Sequence, residues 1–110
     1  MGTTKSEKHS EAQNLLAEYF KVLGHPARIA ILQNLFERES CVCGDLVSKI
    51  GLAQPTISQH LKELKRVGFI KGNVEGNSVC YCIDRENWIG LRDLLKDFLD
   101  QDIKLKTLCC

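Results

Sequence analysis

The sequence predicts a mainly α-helical domain carrying one small β-hairpin, and three observations lead there. Apolar residues recur at helical spacing in successive short stretches separated by Gly, Pro or polar breaks. Two β-prone runs, 69–71 and 78–83, flank a Gly/Asn-rich segment, 72–77, that reads as a turn. Just before that hairpin lies QPTISQHLKELKRVG, 54–68, a short helix with one apolar stripe and one polar face.

Residues 1–10 lack apolar periodicity and are expected to form a disordered tail. Residues 11–23 place Leu15, Leu16, Tyr19, Phe20 and Leu23 at helical spacing. Gly24-His25-Pro26 breaks that pattern, and Pro26 opens a second helix through Phe36, since a first-turn proline forfeits no hydrogen bond. Its expected core face is Ile29, Leu32 and Leu35 with Phe36, and His25 is expected to pack or to cap. A polar turn, Glu37–Ser40, leads into a third helix of about 43–51, with Asp45 able to cap its start and Gly51 at its end. Leu52-Ala53 joins it tightly to the next helix, where Ile57, Leu61 and Leu64 form the apolar stripe and Gly68 supplies the stop. Alternation along 78–83 puts Val79, Tyr81 and Ile83 on the expected core side, with Ser78, Cys80 and Cys82 opposite. A last helix, 86–106, carries Trp88, Leu91, Leu94, Leu95, Phe98 and Leu99, a stripe wider than a small domain easily covers. The folded body is therefore 11–106, followed by a Cys-containing tail, 107–110. Surplus apolar surface on both terminal helices predicts a homodimer built from them.

Two short helices joined by a few residues, the second polar outside and followed by a hairpin, form a winged helix-turn-helix. The polar face of 54–68 carries Gln54, Thr56, Ser58, Gln59, His60 and Lys62, groups suited to base edges and phosphates. Ser58 and Gln59 are the base-contact candidates, Gln54 and Thr56 sit at the helix start near phosphate, and His60 is expected to meet DNA. Lys62 and Lys65 would anchor to the backbone, as would Lys71, Asn73 and Asn77 from the wing. The chain as a whole is only +1, but 54–72 holds four cations against one carboxylate, a net +3. Residues 84–102 hold six acids against three cations, a net −3, so the positive charge concentrates on the reading segment. Double-stranded operator DNA is the expected partner.

With 110 residues, 44% of them hydrophobic and 26% charged, the chain suits one soluble domain. No apolar run approaches the roughly 20 residues that span a bilayer, and the N-terminus lacks a signal-peptide core. Cytoplasm is the expected compartment, with no membrane partner. No nucleophile–base pair is visible, and no enzymatic activity is expected. Six cysteines fall in three close pairs: Cys41/Cys43, Cys80/Cys82 and Cys109/Cys110. In the cytoplasm structural disulfides are disfavoured, so clustered thiols point to soft-metal binding or to redox work. Cys80 and Cys82 share one strand face and read either as a second soft-metal site or as small exposed residues. Cys109 and Cys110 read either as a pair able to bind a trivalent arsenical or oxidise, or as a frayed end.

From about Leu15 to Leu99 the chain resembles the ArsR/SmtB family of winged-helix repressors, which sense metals and metalloids in bacteria. The likeness rests on LGHPARIAIL (23–32), DLVSKIGLAQPTISQHLKELKRVGFI (45–70) and GNSVCYCI (76–83). It implies an α-α-α-α-β-β-α homodimer with the terminal helices at its interface, and derepression when an inducer binds. Cys41-Val42-Cys43 is similar to the family's C-V-C-D-L signature, which implies thiolate binding of As(III), Sb(III), Cd(II) or Pb(II) by Cys41 and Cys43. Gly44 interrupts that signature before Asp45-Leu46, and a third sulfur has to come from Cys80, Cys82, Cys109 or Cys110. The family's zinc site on the last helix is not matched, since Asp84 and Glu86 have Phe98 and Gln101 where ligands would be needed. A redox- or persulfide-responsive repressor on the same scaffold stays open, and so, more distantly, does a winged-helix interaction module that does not bind DNA.

Overall fold

A computed structural model describes residues 8–38, 41, 50–75 and 78–103. In order they form α1 (Glu11–Leu23), α2 (Pro26–Phe36), α3 (Gln54–Val67), β1 (Ile70–Glu75), β2 (Ser78–Ile83) and α4 (Arg85–Leu99). The helix expected at 43–51 lies outside the described residues except at its end, where Ile50 is helical and Gly51 adopts φ 81°.

Local chemistry fixes each helix end. Ser10, assigned to the tail from the sequence, is instead the N-cap of α1. Its hydroxyl accepts from the Gln13 N–H at 3.1 Å, and the Gln13 side chain accepts from the Ser10 N–H at 3.0 Å. At α2, His25 is the cap: Nδ1 accepts from the Ala27 N–H at 3.1 Å, with Pro26 filling the first turn. α3 ends on Gly68 at φ 94°, whose N–H reaches the carbonyls of Leu64 and Lys65. Asp84 caps α4 through the Asn87 N–H at 3.3 Å. That helix stops at Leu99 rather than at 106, because Asp97, Asp100 and Asp102 crowd the negative end of its dipole.

The core joins all the layers. Val22 of α1, Ile31, Leu32 and Leu35 of α2, Ile57, Leu61 and Leu64 of α3, Phe69, Ile70 and Leu91 make one buried cluster. Phe69 is its hub, edge-on to Tyr19 at 5.8 Å and tilted against Trp88 at 5.5 Å. The sequence misassigned part of the α2 face, where Ile31 is buried and Ile29 and Phe36 stand partly exposed. α2 is apolar over most of its circumference, so contact with α1, α3 and β2 selects the buried arc.

β1 and β2 pair antiparallel, from Ile70 opposite Ile83 to Glu75 opposite Ser78. The turn is therefore shorter than the 72–77 expected, since Gly72 and Asn73 pair with Tyr81 and Cys80. Cross-strand pairing outweighs the weak strand preference of Gly and Asn. The wing is covered on both faces rather than on one: Tyr81 and Ile83 pack against the core as expected, but the opposite face is not left exposed. Cys80 is fully buried and Cys82 half-buried, whereas Val79 is 43% exposed. Tyr81 and Ile83 remain half-buried, and Cys82 lies near Cys41 on the other side of the strand.

Candidate DNA interface and thiol site

α3 presents the face that a groove-reading helix needs. Gln54, Thr56, Ser58, Gln59, Lys62 and Lys65 are exposed, while Ile57, Leu61 and Leu64 hold the opposite side in the core. Gln54 Nε2 donates to Ser58 Oγ at 3.2 Å, which orders the first turn. The N-cap, Ala53, gives that turn no side-chain acceptor, so its N–H groups are available to a phosphate oxygen. Lys65 reaches over the wing, its Nζ 3.4 Å from where a Cβ on Gly72 would stand. Lys71 and Asn73 are exposed on β1, and Asn77 lies outside the described residues.

His60 is corrected. It is only 8% exposed and turns away from the polar face. Arg28 Nε donates to its Nδ1 at 3.1 Å, and the His25 ring lies 4.3 Å away, centroid to centroid. Burial pushes the His60 pKa down, and the charges of His25 and Arg28 add to that. Its role is to join α2 to α3, and it leaves the candidate DNA interface. The spacing placed it at the edge of the polar arc, and only the position of Arg28 decides which way it faces.

Arg66 is exposed but engaged within the chain. It bonds Glu63 at 3.0 Å and also Glu18 of α1, which raises its pKa and lowers that of Glu63. Nothing in the helical periodicity of 54–68 announces the α1 partner.

The thiols meet across the fold. Cys41, in the turn after α2, and Cys82, on β2, are both free and half-buried. Asn73 Nδ2 donates to Cys41 Sγ at 3.2 Å and lies 4.0 Å from Cys82 Sγ. The Cys82 pKa is pushed up to about 11, first by burial and then by its hydrogen bond to Cys41, against the opposing charge of Lys71. Cys80 is disulfide-bonded, and Cys43, Cys109 and Cys110 lie outside the described residues. Among the described residues no three His, Cys, Asp or Glu gather as a metal cluster. The Cys41–Cys82 meeting went unseen in the sequence because it joins positions far apart along the chain.

The comparisons agree with this architecture. Residues 25–71 match the model of the arsR family of bacterial regulatory proteins. The helix-turn-helix transcriptional regulator Rv0081 of Mycobacterium tuberculosis is 45% identical over 69 residues, 63% of this chain and 60% of that regulator's length. Its crystal structure superposes with a TM-score of 0.66 at 35% identity, covering 83% of this chain and 91% of that one. The homodimeric winged helix-turn-helix DNA-binding domain Mb0332 of Mycobacterium bovis gives 0.63 at 26% identity, over 84% and 88% of the two chains. The transcriptional repressor BigR of Xylella fastidiosa gives 0.60 at 28%, over 93% and 100%. Sequence and winged helix-turn-helix fold together place this chain in the ArsR family of bacterial regulatory proteins, a family of transcriptional regulators and not of enzymes.

Proposed function

We propose that the chain acts as a homodimeric, operator-binding transcriptional repressor, released from DNA by As(III) or a similar thiophile held by cysteine thiolates. The observation that carries the thiol part is the meeting of Cys41 and Cys82 around Asn73. Cys41 with Cys43 supplies the first ligands in this reading, and Cys82 supplies the third. Cys80 is disulfide-bonded and offers a sulfur only once that bond is reduced, and Cys109 and Cys110 are not required. DNA binding is supported by the exposed Ser58, Gln59, Lys62 and Lys65 on α3, with Lys71 and Asn73 on the wing beside them. A ligand joining Cys41 to Cys82 ties the wing to the turn that leads into the helix-turn-helix. It therefore biases the DNA-reading geometry directly, with coupling on the order of 1–3 kcal/mol.

Proton accounting ranks the inducers. Arsenous acid condenses with thiols, each As–S bond releasing one water, so the raised pKa of Cys82 is no obstacle. Sb(III) behaves alike. Cd(II) or Pb(II) must instead expel thiol protons into solution and sit beside the Lys71 ammonium, both unfavourable. Arsenite titrated into reduced protein bound to its own promoter should release the DNA. Cys41→Ser and Cys82→Ser should keep DNA affinity and lose release. Full arsenite release in both variants would remove the site.

A second reading has its own support, namely the Cys80 disulfide beside two free thiols in contact. Here oxidation or persulfide transfer at Cys41 and Cys82 replaces metalloid binding. Release by an oxidant, with none by arsenite under strict reduction, would select it.

A further inference from the structure

A cavity of about 640 Å³ lies beside the thiol pair, between the end of α2, the wing and the start of α4. That volume falls within the roughly 300–1,000 Å³ typical of small-molecule sites. Phe36, Trp88 and Ile89 form its apolar wall. Trp88 is held edge-on to Phe36 at 4.8 Å and against Phe69 at 5.5 Å, so its indole is a fixed surface. Arg38, Lys71 and Arg85 line the same space, and among the described residues no carboxylate does. Lys71 and Arg85 form no ion pair or hydrogen bond among the described residues.

Unpaired cations on an apolar wall are complementary to an anion with an apolar body. Charge-assisted hydrogen bonds gain strength where such walls exclude water, and the guanidinium fork matches a carboxylate. A metal cation would be repelled by Lys71 and Arg85. We propose that this cavity binds an aryl carboxylate, its carboxylate held by Lys71 and Arg85 and its ring against Trp88. A ligand there touches the wing through Lys71 and α4 through Arg85, and so fastens one to the other. The inference goes beyond the thiol-directed reading and does not require it, because binding is read on reduced protein with no thiophile and no DNA.

Trp88 is the one tryptophan of the chain, so its emission reports occupancy. Phenylacetate titrated into the reduced full-length protein should change that emission saturably. The neutral isostere phenylacetamide should bind roughly tenfold more weakly. Lys71→Gln and Arg85→Gln, both at exposed positions, should each weaken phenylacetate roughly five- to tenfold. Lys96→Gln, whose ammonium pairs with Asp100 outside the cavity, should bind as the parent does. Unchanged thermal unfolding would certify that the variants fold. Absence of a saturable change, equal binding of acid and amide, or full affinity in the Lys71→Gln/Arg85→Gln double variant would overturn the assignment.

Discussion

His60 shows what a single buried imidazole does to a reading helix. It accepts from Arg28 Nε, so Nδ1 is unprotonated, and proton uptake would set an imidazolium against the Arg28 guanidinium in a buried position. Its pKa is lowered in the folded protein. The unfolded chain therefore binds its proton first, at about 6.5, and folding stability falls as the pH drops below that value. Above it this contribution is fully present. Unfolding midpoints measured across that range should decline on acidification, and less steeply in His60→Phe than in the parent. Equal slopes would show that the imidazole does not titrate against folding. The residue scale is where sequence reading was weakest. Spacing located the stripe of Ile57, Leu61 and Leu64, but the side taken by His60 depended on Arg28, thirty-two positions away.

At the scale of elements, the boundaries of α1, α2 and α3 follow from local signals: the Ser10–Gln13 capping box, Pro26 behind His25, and Gly68. Gly68 has the sharpest consequence. At φ 94° a side chain is strained in the left-handed region, and a Cβ would approach Asn87 Nδ2 to 3.1 Å. Gly68→Ala should cost about 1–2 kcal/mol, read as a lower denaturant midpoint at unchanged slope. A parent-like midpoint would mean the αL cap relaxes freely. The wing was harder to read because its two faces differ only in which neighbour each meets. Alternation correctly put Tyr81 and Ile83 against the core, but it did not show that Cys80 on the other face is fully buried as well. The end of α4 was likewise overrun, since the apolar pattern continues past the point where three aspartates oppose the helix dipole.

For the whole molecule, the apolar surface left on α1 and α4 is the main expectation. Phe20 and Phe98 pack edge-on at 5.7 Å and yet stay partly exposed, flanked by Leu15, by Leu99 at 67% exposure and by Ile103 at 83%. A surface of that kind on both terminal elements suits a twofold interface. Leu99→Asp should give a monomer by sedimentation with unchanged helical content. Operator affinity should fall by roughly 10²-fold or more, because two half-sites can no longer be held together. A dimeric Leu99→Asp protein would place the interface elsewhere. The amphipathic pattern announced this surface from the sequence, whereas the juxtaposition of Cys41 with Cys82 required the folded chain.

The bonds that Arg66 makes with Glu18 and Glu63 bear on how this protein would choose among DNA sites. They engage internally the one guanidinium of the reading segment, the side chain best shaped to grip guanine with two parallel bonds. The positive charge left facing outward belongs to Lys62, Lys65 and Lys71, mobile point charges that hold any sugar-phosphate chain equally well. In the proposed DNA-bound state, tightness and discernment would thereby fall to different side chains: ammonium groups would supply a sequence-blind hold, and the amide of Gln59 and the hydroxyl of Ser58 would do the choosing.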